Sequence, residues 1–339
     1  MKRTVAATRP PRHHFFGFHD LVAWNATGDK LLALEVDDIS HPPLPGQLAR
    51  VGYVDMTTLQ FVPVASTAAW NFPQGARQQW LGSGDLFVVN NRHGHRWVAE
   101  VYEASTKRRV QALPAPVHTL NAAKGMGFAM DYSRLHRLGG YGYTGLPDSH
   151  ADQPAPSDSG IFKVDLNVAR TELVTSLRDI ASHRATSRVD PRFHHYVTHL
   201  LLNPAGERLA FLHRYRIPDG GEMTRLMTVG ADGRNLRCLL MGFLSHFDWL
   251  NDQELIIWGR PAQSVARIRD SALLKTPLIR SILRASKGVL RRLLSRAPLM
   301  SMCFLRVADS EERSVQPFAQ GVITSDGHPM VCPGNRDWL

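Results

Sequence analysis

The sequence has little of several features that mark particular classes of protein. It contains three cysteines in 339 residues (Cys238, Cys303 and Cys332), and their odd number and scatter argue against a framework of disulfide bonds. No apolar run approaches the roughly eighteen residues of a membrane span. The N-terminal stretch MKRTVAATRPPRHHFF lacks the apolar core and cleavage site of a secretory signal. We therefore expect a cytoplasmic protein.

The sequence also has fewer acidic than basic residues. Asp and Glu number 30 against 40 Lys and Arg, which gives a net charge of +10 and favours acidic partners such as nucleic acid, anionic lipid or acidic polysaccharide. The sequence lacks a GxSxG elbow, a P-loop and paired CxxC motifs, which excludes the enzymes and zinc sites built on them. Histidine, by contrast, occurs 16 times.

A unit of strand, tight polar turn, strand and returning hairpin recurs along the chain. The clearest copies begin at residues 18, 76, 198 and 245, with a less regular copy near residue 130 and a last one near residue 327. Such repetition is typical of a β-propeller, whereas a large β-sandwich, the alternative, would not predict the recurring turn. We predict an all-β fold, a single propeller domain over residues 1–339 with six or seven blades. The last blade is expected to be truncated or completed by another segment.

Residues 262–300 interrupt this repeat with an apolar pattern of helical period. Between Arg267 and Arg296 they carry nine Lys or Arg and one acidic residue, Asp270. A basic amphipathic helix of this kind lies on an anionic membrane surface or binds an acidic protein partner. Packing of its apolar stripe on the side of the propeller is the alternative, and a peripheral position at the inner membrane is the second expectation for location. Nucleic acid is disfavoured because no aromatic residues alternate with the charges to stack bases.

Histidines stand near the start of the predicted inner strands. Alignment of the units on their turns gives this position to His19, His199, His246 and His328, and to Arg77 or Gln78 in the second unit. A single histidine there is usually structural. In a propeller these strands line one central channel, so we expect the four side chains to share a site. The hairpin that follows His199 is expected to return His213 to the same rim.

The region from residue 195 to residue 260 resembles the oligogalacturonate lyases. It contains the strings H-x-x-x-x-P, F-x-H, R-[IL]-x-T-x-x-x-D-G and [GS]-H-x-x-W, carried by His199, Pro204, Phe211, His213, Arg225, Asp232, Gly233, His246 and Trp249. Residues 323–335 resemble a later pattern of that family through His328, Pro329 and Pro333. The resemblance implies a seven-bladed propeller that cleaves oligomeric uronates by β-elimination with a bound Mn²⁺.

The resemblance also implies roles for individual residues. The divalent metal, Mn²⁺ first, would be held by His246, Asp326 and His328, although Asp326 stands where the family has histidine and Ile323 where it has glutamine. The catalytic group would comprise His199 as base with His213 and Arg214. We assign substrate binding to Arg92, Arg137, Tyr141, Tyr143 and Arg225. An acidic residue that follows two of the family's histidines is absent here, so we expect a different substrate pocket.

These observations predict a metal-assisted lyase that acts on a uronate-containing oligosaccharide or polysaccharide. The proton on C5 of a uronate is weakly acidic, and a cation that neutralises the neighbouring carboxylate stabilises the charge left when a neutral histidine removes it. The alternative is a non-catalytic WD-like propeller scaffold in a polysaccharide-assembly or membrane-associated complex.

Overall fold

The structure, a computed structural model, describes residues 8–183, 193–216, 222–261, 302–312, 314–333 and 335. The predicted insertion at 262–300 lies outside the described residues. The described part is built from β-strands, which confirms the all-β prediction, and two short helices, α1 (Tyr132–Gly139) and α2 (Leu177–Ser182). No helix in these ranges is long and apolar enough to cross a membrane.

The strands form consecutive antiparallel sheets in which each strand pairs with the next along the chain. Unit one contains β1 (His13–Phe15), β2 (Lys30–Val36), β3 (Ala49–Asp55) and β4 (Gln60–Thr67). Unit two contains β5 (Gln79–Trp80), β6 (Leu86–His93), β7 (Arg96–Glu103) and β8 (Arg108–Leu113). Unit three contains β9 (Thr119–Asn121), β10 (Met126–Met130), β11 (Gly160–Asp165) and β12 (Arg170–Ser176).

A seven-stranded sheet supplies two further units. Its strands are β13 (His195–Leu202), β14 (Arg208–Arg216), β15 (Glu222–Gly230), β16 (Arg237–Trp249), β17 (Glu254–Pro261), β18 (Cys303–Ala308) and β19 (Val315–Phe318). The first half of β16 pairs with β15 and its second half with β17, with a register shift between Leu244 and Phe247. Strand β16 is therefore both the outer strand of unit four and the inner strand of unit five.

The recurring polar turn has the same backbone hydrogen bond in each well-formed copy. The amide of Asn25 donates to the carbonyl of Lys30 at 3.1 Å, Leu81 to Leu86 at 2.8 Å, and Asn203 to Arg208 at 2.8 Å. In unit five the turn is one residue shorter, from Leu250 to Glu254. The turns that the sequence predicts from its Asn, Asp and Gly residues are thus the hairpins that open units one, two, four and five.

The hydrophobic core lies between successive sheets. Apolar side chains of one unit pack on those of the next, and full burial of each contributes about 1.5–3 kcal/mol. The clusters join Leu32 and Leu34 to Phe87 and Val89, Val88 and Val101 to Ala129 and Val164, Phe128 and Ile161 to Phe211 and Met227, and Leu212 and Leu226 to Ile257 and Leu305. The sheets therefore follow one another face to face. Among the described residues after Phe318 no strand is assigned, so the number of blades stays a prediction.

Asp309 fastens unit five to unit four. Its carboxylate is almost fully buried and accepts hydrogen bonds from Arg208 at 2.7 Å, Thr228 at 2.7 Å and Arg237 at 3.1 Å. Burial alone would raise the pKa of Asp309, but the hydrogen bonds and charges of these partners outweigh it and the pKa is lowered. The carboxylate is therefore ionised at neutral pH and holds two guanidinium groups.

We predict that Asp309→Ala lowers the free energy of unfolding by about 3 kcal/mol, because it leaves two partly buried cations without their shared partner. Urea unfolding followed by circular dichroism measures the change. Asp152→Ala, at an exposed turn, is the matched control and should change the free energy by no more than about 0.5 kcal/mol. Equal effects of the two substitutions would contradict the fastening role.

Candidate functional site

The starts of the inner strands meet around one aromatic ring, that of Phe18. The ring centroid of Phe18 lies 4.5 Å from that of His19, 5.4 Å from His199, 5.7 Å from His246 and 5.3 Å from His328. We call these four histidines the histidine cluster. They come from unit one, unit four, unit five and the segment after β19, so the structure brings together residues that are far apart in the sequence.

Local irregularities of the strands aim these side chains at the cluster. His199 has a φ of 56°, in the left-handed region, where the pairing of β13 with β14 shifts register between Thr198 and Leu201. His246 lies in the register shift of β16 between Leu244 and Phe247. A β-bulge turns a side chain out of the alternation of its strand, and a non-glycine residue in the left-handed region stores strain that is common at functional sites.

In unit one the chain leaves the sheet between β1 and the bridge of Trp24 with Leu31. This excursion carries Phe18 and His19 into the cluster. Gly17 makes it possible, because its φ is 102° and a Cβ there would lie 2.9 Å from Leu21 Cδ1 and 3.2 Å from the carbonyl oxygen of Gln74. A side chain at position 17 would push the excursion away from its neighbours.

The segment that carries Asp326 and His328 is held across the cluster at two points. His19 Nδ1 is hydrogen-bonded to the carbonyl oxygen of Pro329 at 3.0 Å, and the amide of Val331 donates to Asp248 at 2.7 Å. Within the segment, Asp326 Oδ1 lies 3.3 Å from His246 Nδ1. Of the three predicted metal ligands, Asp326 thus lies beside His246, and the ring centroid of His246 is 3.8 Å from that of His328.

Burial favours the neutral form of three histidines of the cluster, His19, His199 and His246. Burial, together with the imidazoles of His246 and His328, lowers the pKa of His19 to about 4. Burial also lowers the pKa of His246, helped by the imidazole of His328, and lowers that of His199 well below its usual value, helped by the charge of Arg214. Neutral imidazole is the form that binds a metal ion or accepts a proton.

Arg214 and Tyr141 border the cluster beside His199. Arg214 Nη1 donates to Tyr141 Oη at 3.1 Å, and the ring of Tyr141 lies 6.0 Å from that of His199. His199 Nδ1 is 2.9 Å from the hydroxyl of Thr198, while His199 Nε2 and Arg214 Nε are buried and have no hydrogen-bond partner among the described residues. Arg214 Nη1 also pairs with Glu222 at 3.3 Å, so only the Nε of its guanidinium is left without a partner.

An ion pair lies next to the histidine cluster. Arg77, fully buried, donates to both carboxylate oxygens of Asp20 at 2.8 Å and to the carbonyl oxygen of His118 at 2.6 and 3.0 Å. Burial would raise the pKa of Asp20, but the guanidinium outweighs it and the pKa lies far below its usual value. Sequence reasoning missed Asp20 and His118. The sequence did indicate that Arg77 lies near the cluster, because Arg77 stands three residues before Trp80, just as His246 stands three residues before Trp249.

His213 and Arg225 lie in a different place from the cluster. His213 is fully buried; its Nδ1 accepts from Arg225 Nε at 2.9 Å, and its Nε2 is 2.9 Å from Nδ1 of His195. Arg225 also donates to the carbonyl oxygens of His183 and Ile180. Both nitrogens of His213 are therefore occupied, and the geometry gives neither residue a surface on which to meet a substrate, contrary to the shared rim that the hairpin predicts.

The other predicted substrate residues are dispersed. Tyr143 is buried, stacks on Tyr132 at 4.1 Å and is 2.9 Å from Asn90 Nδ2, so it packs the interior. Arg137 lies on α1 and donates to Asp148 at 2.8 Å. Arg92 is partly buried, and its guanidinium lies against the loops of Gly46 and Gly145.

In the described part of the chain, three possible ligand atoms lie within 4.8 Å of one another at Asp131, Asp148 and His150, and not in the histidine cluster. This triad is already satisfied by protein groups. Asp148 pairs with Arg134 at 3.3 Å and with Arg137 at 2.8 Å, and Asp131 caps α1 by accepting from the amide of Arg134. Two guanidinium groups beside the carboxylates repel a further cation, so we assign this triad to the packing of α1.

We predict that acidification destabilises the fold through the cluster. The pKa of His19 is about 4 when folded and about 6.5 when unfolded, so between these values the unfolded chain binds a proton that the folded chain does not. The free energy of unfolding therefore falls as pH falls through this window. His19→Gln should reduce that slope by at most about 1.4 kcal/mol per pH unit.

Urea unfolding at pH 7, 6, 5 and 4.5 measures this slope, with His95→Gln at an exposed turn as the control substitution. A slope in His19→Gln equal to that of the wild type would contradict the burial of a neutral imidazole at this position.

Comparison with known proteins gives structural neighbours only. No family model matches the sequence, and no curated protein matches it. An oligogalacturonate lyase in complex with manganese is 10% identical, with 76% of this chain and 75% of that chain covered and a TM-score of 0.36.

An oligogalacturonate lyase from Vibrio parahaemolyticus is 10% identical over 98% of this chain and 84% of that chain, with a TM-score of 0.41. The hydrazine synthase of Kuenenia stuttgartiensis is 10% identical over 95% and 100%, with a TM-score of 0.42. At these identities and TM-scores the likeness does not bear on the activity.

Proposed function

We propose that this chain is a β-propeller enzyme that cleaves a uronate-containing saccharide by β-elimination with the help of a divalent metal ion. The observation that carries the proposal is the meeting of neutral histidines with an arginine, Arg214, which is paired with Glu222 at 3.3 Å but has a buried Nε without a partner among the described residues. In the part of the chain that the structure describes, His199 Nε2 and Arg214 Nε are both buried and have no hydrogen-bond partner, and the neutral ring of His246 lies 6.1 Å from that of His199. A buried polar atom without a hydrogen-bond partner costs free energy. A ligand that brings a carboxylate to Arg214 and a hydrogen atom to His199 therefore fits this place.

His199 takes the part of the base. We assign its proton to Nδ1, which lies 2.9 Å from the hydroxyl of Thr198, so that the lone pair is on Nε2. That nitrogen removes the proton from C5, the C4–C5 double bond forms, and the bond from C4 to the leaving oxygen breaks. The low pKa of His199 keeps it in the accepting form at neutral pH.

Arg214 takes the part of the carboxylate binder. A hydrogen bond to Tyr141 and an ion pair with Glu222 at 3.3 Å orient its guanidinium, and Nε, which has no partner among the described residues, is left to donate to a substrate oxygen. A planar guanidinium matches a carboxylate better than an ammonium does. Tyr141 presents its aromatic ring beside His199 as a surface for the sugar.

The metal ligands in this proposal are His246, Asp326 and His328. Imidazole nitrogen and carboxylate oxygen are a suitable donor set for Mn²⁺ or a similar ion. A bound cation would neutralise the uronate carboxylate and so acidify C5. His328 and Asp326 are exposed while His199 is not, so the cluster is open to solvent on the side of the proposed metal ligands.

We expect His199→Ala to lower the turnover number about 10²- to 10⁴-fold, because the general base is lost. The test incubates the full-length protein and Mn²⁺ with a panel of uronate oligomers and follows the ultraviolet absorbance of the unsaturated product.

Arg214→Lys should raise KM more than it lowers kcat, since it keeps the charge but loses the planar donor.

His95→Ala, in the exposed turn between β6 and β7, is the matched control and should retain full activity. Absence of any absorbing product over the whole panel, with a folded and metal-loaded wild type, would exclude the lyase reaction for these substrates. Full activity of His199→Ala would exclude the assignment of the base alone.

A second candidate is a non-catalytic scaffold on an acidic surface, and the charge of residues 262–300 favours it. Nine cationic residues against one acidic residue between Arg267 and Arg296 suit an anionic lipid surface. We predict that replacing Arg284, Arg291 and Arg292 by Gln weakens binding to vesicles that contain phosphatidylserine by about 3 kcal/mol, at roughly 1 kcal/mol per charge.

Co-sedimentation at low salt measures this binding, and neutral vesicles are the control. A variant that sediments as the wild type does would remove the membrane candidate. The cytoplasmic location remains part of the proposal, with Cys238, Cys303 and Cys332 all free thiols.

A further inference from the structure

An open cavity of about 160 Å³ lies between loops of unit one and the end of α1, outside the histidine cluster. Three stretches of chain form its walls: residues 39–43 between β2 and β3, residues 71–72 before β5, and four residues from 136 to 144 at and after the end of α1. A cavity of about 150 Å³ is large enough for one six-membered ring. The cavity therefore has the size of a site for a single sugar residue.

Gly142 and Asn71 hold these walls together. Gly142 lets the chain fold back on α1, because a Cβ there would overlap the carbonyl oxygen of Tyr132 and the amide of His136. Asn71 is buried and donates from Nδ2 to the carbonyl oxygen of Gly142 at 3.1 Å, which joins the second wall to the third. The walls are thus set by the backbone, and the cavity is already formed before a ligand binds.

The lining combines an apolar surface with polar groups. Phe72 is 43% exposed, and Pro42 and Pro43 also line the cavity. The ring of His136 lies in the same lining, and its buried Nδ1 has no hydrogen-bond partner among the described residues. A sugar ring has a face of C–H groups and an edge of hydroxyl groups, so it can pack on the apolar surface while its edge meets the polar groups.

The guanidinium of Arg92 borders the third wall of the cavity. Cβ atoms built on Gly145 and Gly46 would lie 2.8 Å from its Nη1 and 3.7 Å from its Nη2, and Gly145 directly follows the last residue of that wall. Within the described ranges Arg92 forms no ion pair and no carboxylate lines the cavity. Asp38, in the loop of the first wall, is paired with His41 at 3.2 Å. The charges at this edge therefore favour an anionic group on the ligand.

The cavity and the histidine cluster have two segments in common. Phe72 packs on Phe15 at 5.3 Å, and Phe15 precedes Phe18 by three residues, which span at most about 11 Å. Tyr141 stands between two glycines that line the cavity, and its ring lies 6.0 Å from that of His199. A short oligosaccharide can therefore reach from one place to the other.

We infer that this cavity is a second subsite, which binds one further uronate residue of the oligosaccharide that is cleaved at His199. The inference rests on the proposed function for the class of saccharide and for the place of cleavage. It adds a site in which Phe72 and His136 contact the sugar ring and Arg92 binds its carboxylate. A guanidinium is suited to this role because its planar fork can donate two parallel hydrogen bonds to one carboxylate.

The experiment measures binding separately from cleavage. Isothermal titration calorimetry determines the affinity of the full-length His199→Ala variant, with Mn²⁺ present, for a series of uronate oligomers from dimer to hexamer. The expected result is a rise in affinity of about tenfold at the length that first reaches the cavity, as for one charge-assisted hydrogen bond. Addition of Arg92→Gln to this variant should remove that rise, and Phe72→Ala should reduce it.

Arg108→Gln is the matched control, because it removes the same charge from an exposed position on β8 of the same unit. It should leave every affinity within about threefold. Neutral galactose oligomers of the same lengths control for the carboxylate and should show no rise that depends on Arg92. Circular dichroism verifies that each variant is folded.

The outcomes separate the two proposals. Affinities that do not rise with length, or a rise that Arg92→Gln leaves unchanged, in a protein that cleaves uronate oligomers would overturn the subsite and leave the proposed function intact. A rise of the same size with neutral oligomers would overturn the role of the carboxylate. A rise that depends on Arg92, without cleavage by the wild type, would support the subsite and count against the lyase reaction. No binding of any uronate oligomer by the folded protein would overturn both.

Discussion

The ion pair of Arg77 with Asp20 is the interaction on which the site depends. It joins unit one to unit two, and through the carbonyl oxygen of His118 it reaches unit three. Loss of one partner would leave a buried charge uncompensated, which typically costs 3–5 kcal/mol, so both partners are held in place. Because His19 is the residue before Asp20, its position is fixed as well. The ion pair thereby fixes the side of the histidine cluster that unit one contributes, where His19 lies beside the rings of His246 and His328.

The second constraint is that each contributing strand departs from regular geometry where it enters the cluster. His199 and Arg77 both have left-handed backbone conformations, and His246 lies in a register shift. Such departures cost free energy, on the order of 1–3 kcal/mol each. Burial of apolar side chains between every successive pair of units offsets this free energy. The regular packing between the sheets therefore stabilises the irregular backbone around the histidine cluster.

Much of the fold and part of the site could be predicted from the sequence. The turns rest on local chemistry, in which Asn and Gly adopt conformations that other residues avoid, so hairpins such as that of Asn203 to Arg208 were predictable. The meeting of His199, His246 and His328 followed from the repeat. The position of His213 did not. It pairs with Val197 across the strands, and in regular alternation His199 would share its face. The bulge after Thr198 separates them, and a bulge has no clear signature in a single sequence.

The link between His19 and Pro329 spans 310 residues. Contacts of such separation form late, since the loop they close must first lose its conformational freedom. During synthesis the first four units can fold while the last residues are still within the ribosome. The histidine cluster, however, forms only after the segment from Asp326 to Val331 has left the ribosome and packed against His19. A product of premature termination would thus retain well-formed sheets but lack His328 and the carbonyl that binds His19, so that synthesis of the last residues is the condition for forming the complete histidine cluster.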